Sequence, residues 1–138
     1  MNLEKAIQIA VEAHTGDVDK GGSPYILHPL RVMLSLQSEE EMIVGVLHDV
    51  VEDSEWTFED LASQGFSEEI LEALKSVTKT SGSESYADFI SRAKSNPIGR
   101  KVKIADITDN LDITRLDTVT EKDVARLIKY KSALVDLN

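Results

Sequence analysis

Apolar residues recur along this chain at helical spacing, and no stretch alternates apolar and polar side chains as a half-buried strand would. No internal repeat is visible. Residues 2–14 place Leu3, Ala6, Ile7, Ala10, Val11 and His14 on one stripe, which predicts an amphipathic helix. Turn formers follow: Gly16, Asp17, Asp19, Gly21, Gly22, Ser23 and Pro24. Pro29 can open a short helix through about Gln37, because the first helical turn needs no N–H from it. Ser38 then caps a helix whose first turn, Glu39-Glu40-Glu41, complements the macrodipole. The apolar spacing carries that helix through Val44, Leu47, His48 and Val51 to about Asp53.

Thr57 and Asp60 start a short helix that ends at Gly65. Ser67 caps another, running to about Thr78 with Ile70, Leu71, Leu74 and Val77 inward. The polar loop Thr80-Ser81-Gly82-Ser83 leads to a helix carrying Tyr86, Phe89 and Ile90. Asn96-Pro97 is a cap and first turn for a long helix from about 97 to 114. Thr120 with Asp123 opens the last helix, through Leu127 and Tyr130 to Leu134. Seven or eight helices with short connections predict an all-α fold.

Composition narrows the classes. A chain of 138 residues suits one domain, 1–138, and buries roughly 68–70% of its unfolded surface. The absence of cysteine excludes disulfides, zinc fingers, Fe–S clusters and thiol nucleophiles. The longest uncharged apolar stretch near the middle, Ile43 to Leu47, is far short of the ~20 residues that span a bilayer. The start, Met1 to Lys5, lacks the basic-then-apolar layout of a signal peptide, so a soluble, cytoplasmic protein is expected. Fifteen Lys and Arg against 25 Asp and Glu leave a formal charge of −10. Such a surface repels nucleic acid and anionic lipid, so neither is an expected partner. An anionic substrate would need something cationic to hold it, and a metal ion is the obvious candidate.

The candidate chemistry sits in three places. His28 follows the turn-rich loop in Tyr25-Ile26-Leu27-His28-Pro29. His48-Asp49 reads as mid-helix, with Glu52-Asp53 one turn later on the same face. Asp106 lies in Val102-Lys103-Ile104-Ala105-Asp106, with Asn110 a turn beyond. Each alone is ordinary, since a lone mid-helix histidine is more often a hydrogen-bonded core residue. Together, His48, Asp49, Glu52 and Asp53 interrupt an otherwise apolar helix. Burying such carboxylates unpaired would cost several kcal/mol each, so cations must be near. A divalent metal bound by two imidazoles and two carboxylates meets that requirement.

These three motifs in this order resemble the HD-domain hydrolases of the RelA/SpoT type, and in length the small stand-alone alarmone hydrolases. The resemblance runs from about His14 to Tyr130. It implies an all-α HD fold and one divalent ion, Mn²⁺ as first choice, with Fe²⁺, Co²⁺ or Zn²⁺ chemically suitable. It makes His28, His48, Asp49 and Asp106 the metal ligands. Glu52 and Asp53 match the acidic pair that handles the attacking water, with the metal lowering its pKa. Lys20, Asn110 and Tyr130 match substrate-contacting positions, and Lys79 is a further phosphate candidate. His14 is read as structural, and Trp56 and Tyr86 as local packing.

The implied activity is removal of the 3′-diphosphate from guanosine tetra- or pentaphosphate, in a nucleotide phosphohydrolase of the stringent response. Two departures bear on substrate. Where the larger enzymes read Arg-Lys-Ser-Gly, with the arginine stacked on guanine, this chain has Asp19-Lys20-Gly21-Gly22. Where the family often reads Asp-Arg-Leu-His-Asn-Met-Arg, this chain has Asp106-Ile107-Thr108-Asp109-Asn110-Leu111-Asp112. A less cationic pocket is therefore expected. The alternatives are an HD hydrolase of another nucleotide or phosphorylated cofactor, and a catalytically weak nucleotide- or metal-binding regulatory module. The oligomeric state is not legible.

Overall fold

A computed structural model describes residues 2–79 and 81–138. Met1 and Thr80, the latter the first residue of the polar loop at 80–83, lie outside the described residues. Among the described residues there are nine α-helices and one 3-10 turn, with a single isolated bridge, Val18 to Pro24, in place of any strand. The all-α expectation holds.

Five helices begin at the predicted caps Ser38, Thr57, Ser67, Asn96 and Thr120, and Asn2 and Ser85 cap two more. Asn2 accepts from Lys5 N–H to start α1 (Leu3–His14). Ser38 and Glu41 form a reciprocal capping box for α3 (Glu39–Leu47), as do Thr57 and Asp60 for α5 (Phe58–Ser63). Ser67 caps α6 (Glu68–Ser76), and Ser85 caps α7 (Tyr86–Lys94). Asn96 accepts from Ile98 and Gly99 N–H ahead of Pro97, the first residue of α8 (Pro97–Asn110). Thr120 and Asp123 box the start of α9 (Glu121–Leu137). Pro29 sits in the first turn of α2 (Leu27–Leu34), where its missing N–H leaves no bond unmade.

The departures have local causes. The helix expected from 38 to 53 is two: α3 stops at Leu47, and α4 (Val50–Asp53) begins after a turn at His48-Asp49. The His48 ring supplies the reason. Its Nδ1 donates to the Gly45 carbonyl at 2.6 Å, the acceptor that a continuing helix would give to Asp49 N–H. Helix α2 ends three residues before Gln37, and α8 stops at Asn110, short of 114. There Asp112 Oδ1 accepts from Thr114 N–H and organises the 3-10 turn Ile113–Arg115. On α1 the buried face is Ala6, Ile9, Ala10 and His14, while Val11 of the expected stripe is 47% exposed.

The main core gathers α1, α2, α3 and α6 around Val32, Val44, Leu47, Leu61 and Leu74. Gly45 permits the close approach of α2 and α3, since a Cβ there would stand 2.6 Å from Leu36 Cδ1. A second cluster, Ile90, Ile107, Ala133 and Leu137, seats α9 on α7 and α8. Tyr86 packs against this cluster and Trp56 against the main core, as local packing predicts. His28, His48, Asp49 and Asp106 sit where α2, the α3–α4 break and α8 converge.

Candidate metal centre and substrate cavity

Helix α2 and the α3–α4 break bring together the buried His28 and His48 and the half-buried Asp49, with one ligand-capable atom from each within 4.8 Å of the others. His48 Nε2 lies 3.0 Å from Asp49 Oδ2, and His28 Nε2 lies 3.8 Å from the same oxygen. Asp106 reaches in from α8: its Oδ1 is 2.9 Å from His28 Nε2 and 3.4 Å from His48 Nε2. The break after Leu47 is what turns both members of the His48-Asp49 pair toward this point. Tyr25 donates its phenol to Asp49 Oδ2 at 2.5 Å. Burial and then the Asp49 charge push the Tyr25 pKa far up, so it remains a donor.

The carboxylates are matched by buried cations that the sequence reading did not assign. Lys103, 9% exposed, donates to Asp106 Oδ2 at 3.0 Å and lies 4.6 Å above the Phe89 ring. Burial would raise the Asp106 pKa, but Lys103 and then His48 outweigh it and hold it well below the usual range. Asn110 donates to Asp106 Oδ1 at 3.1 Å, which keeps it on the face predicted for it. The i,i+3 spacing of Lys103 and Asp106 is a sequence signal that could have identified Lys103.

Glu52 and Asp53 are both exposed on α4. Glu52 Oε1 accepts from Lys79 N–H at 2.6 Å, so Lys79 meets the site through its backbone. Burial, then the charges of Asp49 and Glu52, push the Asp53 carboxyl up to about 6. His14 is buried against Tyr25, with ring centroids 5.0 Å apart, and neither ring nitrogen has a hydrogen-bond partner. Its Nδ1 lies 4.0 Å from Asp17, and it is outside the ligand cluster.

A cavity of about 440 Å³ opens beside His28. It collects Lys20, Tyr25, Asn110 and Tyr130, and with them Arg31, Arg115 and Arg126. Three guanidiniums that the sequence reading did not group converge here from α2, the 3-10 turn and α9, beside Asp19 and Asp112 on the same wall. Burial and then Arg126 push the Lys20 pKa down, as expected for two cations sharing one wall. Asp19 is also explained. Its Oδ1 accepts from Gly21 and Ser23 N–H, each at 2.9 Å, so it shapes the loop. Gly21 lets that loop lie on the 3-10 turn, since a Cβ there would stand 2.5 Å from the Arg115 carbonyl oxygen. Glu52, Asp53 and Lys79 do not line this cavity. A larger one, about 590 Å³, lies across Arg31 and holds none of the predicted site residues.

The fold and this histidine–aspartate centre are those of an HD domain, and the chain belongs to the HD domain family, which it matches over residues 6–111. It is 31% identical over 120 residues to a guanosine-3′,5′-bis(diphosphate) 3′-pyrophosphohydrolase of Aquifex aeolicus, covering 79% of this chain and 17% of that protein. It is 32% identical over 142 residues to a GTP pyrophosphokinase of Myxococcus xanthus, covering 91% of this chain and 18% of that one. The chain thus spans less than a fifth of the length of these curated relatives. A solved structure described as a metazoan ortholog of SpoT that hydrolyzes ppGpp superposes with a TM-score of 0.79 at 23% identity, over 98% of this chain and 84% of that one.

Membership of the HD domain family implies a divalent metal ion, and the donor set fits one. The His48 Nδ1 proton is committed to a carbonyl, which can only accept, so Nε2 presents its lone pair. That Nε2 is buried without a hydrogen-bond partner, facing carboxylate oxygens of Asp49 and Asp106. Lone pair against carboxylate is repulsive unless a cation or a second proton lies between them. Burial alone would lower the His48 pKa, but Asp49 and Asp106 raise it well above the ordinary value. The centre therefore demands positive charge. Among the described residues, no helix is long and apolar enough to cross a membrane.

Proposed function

We propose that this chain is a metal-dependent nucleotide phosphohydrolase that removes the 3′-diphosphate of guanosine tetra- or pentaphosphate. The observation that carries this reading is that His28 belongs at once to the histidine–aspartate centre and to the wall of a cavity bearing Lys20, Arg31, Arg115 and Arg126. A centre requiring a cation beside a wall of phosphate-binding side chains suits a substrate with a polyphosphate arm. The relatives' names support this reading, although they describe both hydrolysis and synthesis of such nucleotides on proteins several times longer.

In this reading His28, His48, Asp49 and Asp106 hold the ion, with Mn²⁺ the first choice for mixed imidazole and carboxylate ligands. When bound, the ion supplies Lewis acidity toward a phosphoryl oxygen and lowers the pKa of water. Glu52 takes the proton from the attacking water. Its Oε1 is fixed by Lys79 N–H, which holds the carboxylate in place and leaves the second oxygen for that task. Asp53 supports Glu52 as a proton acceptor whose pKa lies near neutrality. Lys20 and the three arginines bind phosphate oxygens, and Asn110 and Tyr130 contact the ribose or its phosphates. Residues 1–138 act as one domain, because α9, beyond the matched 6–111, contributes Arg126 and Tyr130 to the cavity.

A second reading keeps the chemistry and changes the base. It is favoured by Asp19, whose carboxylate serves the loop and offers no planar cation to a purine face. The test is metal-free protein plus Mn²⁺ against guanosine and adenosine nucleotides, with pyrophosphate and orthophosphate release followed separately. Mn²⁺-dependent pyrophosphate release from guanosine tetraphosphate is expected. Orthophosphate release from another nucleotide, with the alarmone untouched, would establish the second reading. Binding without release of either product would leave a regulatory module.

A further inference from the structure

His28 faces carboxylate oxygens on both sides of its ring. Nε2 lies 2.9 Å from Asp106 Oδ1, and Nδ1 lies 2.6 Å from Asp109 Oδ2. A neutral imidazole carries one ring proton and can satisfy only one of these oxygens. Which oxygen it satisfies decides whether the Nε2 lone pair is available to a metal ion.

Asp109 is built to win that choice. It follows Asp106 by three residues on α8, so both carboxylates leave the helix on one face. Its side chain is 12% exposed and is held by Arg31, whose Nε donates to Oδ1 at 2.8 Å and Nη2 to Oδ2 at 3.1 Å. Arg115 adds a hydrogen bond from Nη2 to the Asp109 carbonyl at 2.9 Å. Arg31 thus grips both oxygens of this carboxylate and Arg115 pins its backbone, and a carboxylate paired with arginine can only accept. We infer that Asp109 is the positioning residue for His28: it holds the ring proton on Nδ1, sets the ring angle, and frees Nε2 to face Asp106, Asp49 and His48.

The inference rests on the metal-centre reading and goes beyond it, because Asp109 lies outside the His28, His48 and Asp49 cluster and does not line the cavity beside His28. The two imidazoles are oriented by acceptors of different strength. His48 gives its Nδ1 proton to the neutral Gly45 carbonyl, and His28 gives its own to a charged carboxylate. An imidazole donating to a carboxylate is the more basic ligand, so His28 is the stronger donor of the pair. Asp109 also stands where the family pattern has a histidine. The departure that removed a cation from the motif thus placed an anion behind a metal ligand.

The test uses the full chain with two variants, Asp109→Ala and Asp109→Asn, each checked for a native circular dichroism spectrum. The first measurement is the histidine ring ¹⁵N spectrum of metal-free protein at one fixed pH. In the wild type a proton is expected on His28 Nδ1, whatever Nε2 carries. In D109A it should move to Nε2, where Asp106 Oδ1 waits at 2.9 Å. D109N keeps an amide oxygen as acceptor and should retain the Nδ1 proton in part. The second measurement is Mn²⁺ affinity by electron paramagnetic resonance of the free ion. It should fall about 10–100-fold in D109A and less in D109N, the usual size of effect for a partner behind a metal-ligating histidine. A wild-type His28 with no proton on Nδ1, or D109A binding Mn²⁺ within twofold of wild type, would overturn the assignment. A wild type that binds no Mn²⁺ would overturn the metal centre alone, because the nitrogen shifts still decide what orients His28.

Discussion

Replacing Lys103 with methionine separates the charge that balances Asp106 from everything else at the centre. The ammonium stands 3.0 Å from Asp106 Oδ2, and the two side chains are 11% and 10% exposed. At an effective dielectric constant of about 20, that separation gives roughly 5 kcal/mol of attraction before desolvation is counted. Removing one partner of a buried pair costs about 3–5 kcal/mol, because the other charge stays buried without compensation. Methionine keeps the aliphatic stem over Phe89, so lost packing contributes little. At roughly 4 °C per kcal/mol for a domain of this size, the metal-free variant should melt about 12–20 °C lower.

The same reasoning fixes how metal and pH act on the variant. A divalent ion held by Asp106 would restore the missing positive charge, so saturating Mn²⁺ should raise the Tm of K103M more than that of wild type. Asp106 has a depressed folded pKa, so its contribution is present above the unfolded value of about 3.9 and is lost as pH falls through the folded value. The gap between wild type and K103M should therefore narrow in acid. The assay is thermal and urea unfolding in chelator and in excess Mn²⁺, at pH 7.5 and pH 3. A metal-free loss below 1 kcal/mol, or equal Mn²⁺ increments in both proteins, would refute the reasoning.

Four further outcomes follow from the site. Glu52→Gln keeps an acceptor for Lys79 N–H and removes the base, so turnover should fall roughly 10²–10⁴-fold while Mn²⁺ affinity holds; wild-type turnover would end its assigned role. Asp53 has a folded pKa of about 6, above its unfolded value, so folding loses stability as pH rises through that range. Asp53→Asn should then raise the Tm of metal-free protein at pH 7.5 and leave it unchanged at pH 4, as differential scanning calorimetry would show. Gly21→Ala drives a Cβ toward the Arg115 carbonyl and should raise KM with Mn²⁺ affinity intact, measured by steady-state kinetics beside metal titration. Lys20→Met should also act on KM, and the salt dependence of kcat/KM should weaken with it; an unchanged salt slope would remove Lys20 from substrate binding.

What was legible in the sequence was local. Ser38, Thr57, Ser67, Asn96 and Thr120 all cap the helices expected of them, because a cap depends on residues within one turn. The convergence of His28, His48 and Asp49 was legible as a constellation and by resemblance. The break at His48 was not, since apolar spacing runs unbroken across it and a ring-to-carbonyl bond decides it. The choice of Ile9 over Val11 was equally hidden, because periodicity gives a face within one position and the neighbouring helices settle the rest. Arg31, Arg115 and Arg126 could not be grouped from sequence, being brought together only by the docking of α9 and the 3-10 turn.

Those three arginines also show how a chain of charge −10 can gather cations on one cavity wall. Each is paired with an acid: Arg31 with Asp109, Arg115 with Asp112, and Arg126 with Asp123. Pairing lowers their net field, but it fixes the guanidinium planes, so little side-chain entropy remains to be lost when a phosphate arrives. A guanidinium has five N–H donors, and the Arg31–Asp109 pair uses Nε and Nη2, leaving Nη1 for another oxygen. Lys20 differs, since among the described residues it makes no ion pair and reaches the wall from a loop. The wall thus divides its work: paired arginines give direction and an unpaired lysine gives attraction. That division explains why the acids at positions 109 and 112, which read from sequence as losses of positive charge, are compatible with a polyanionic substrate. They hold the arginines that the proposed function assigns to binding it.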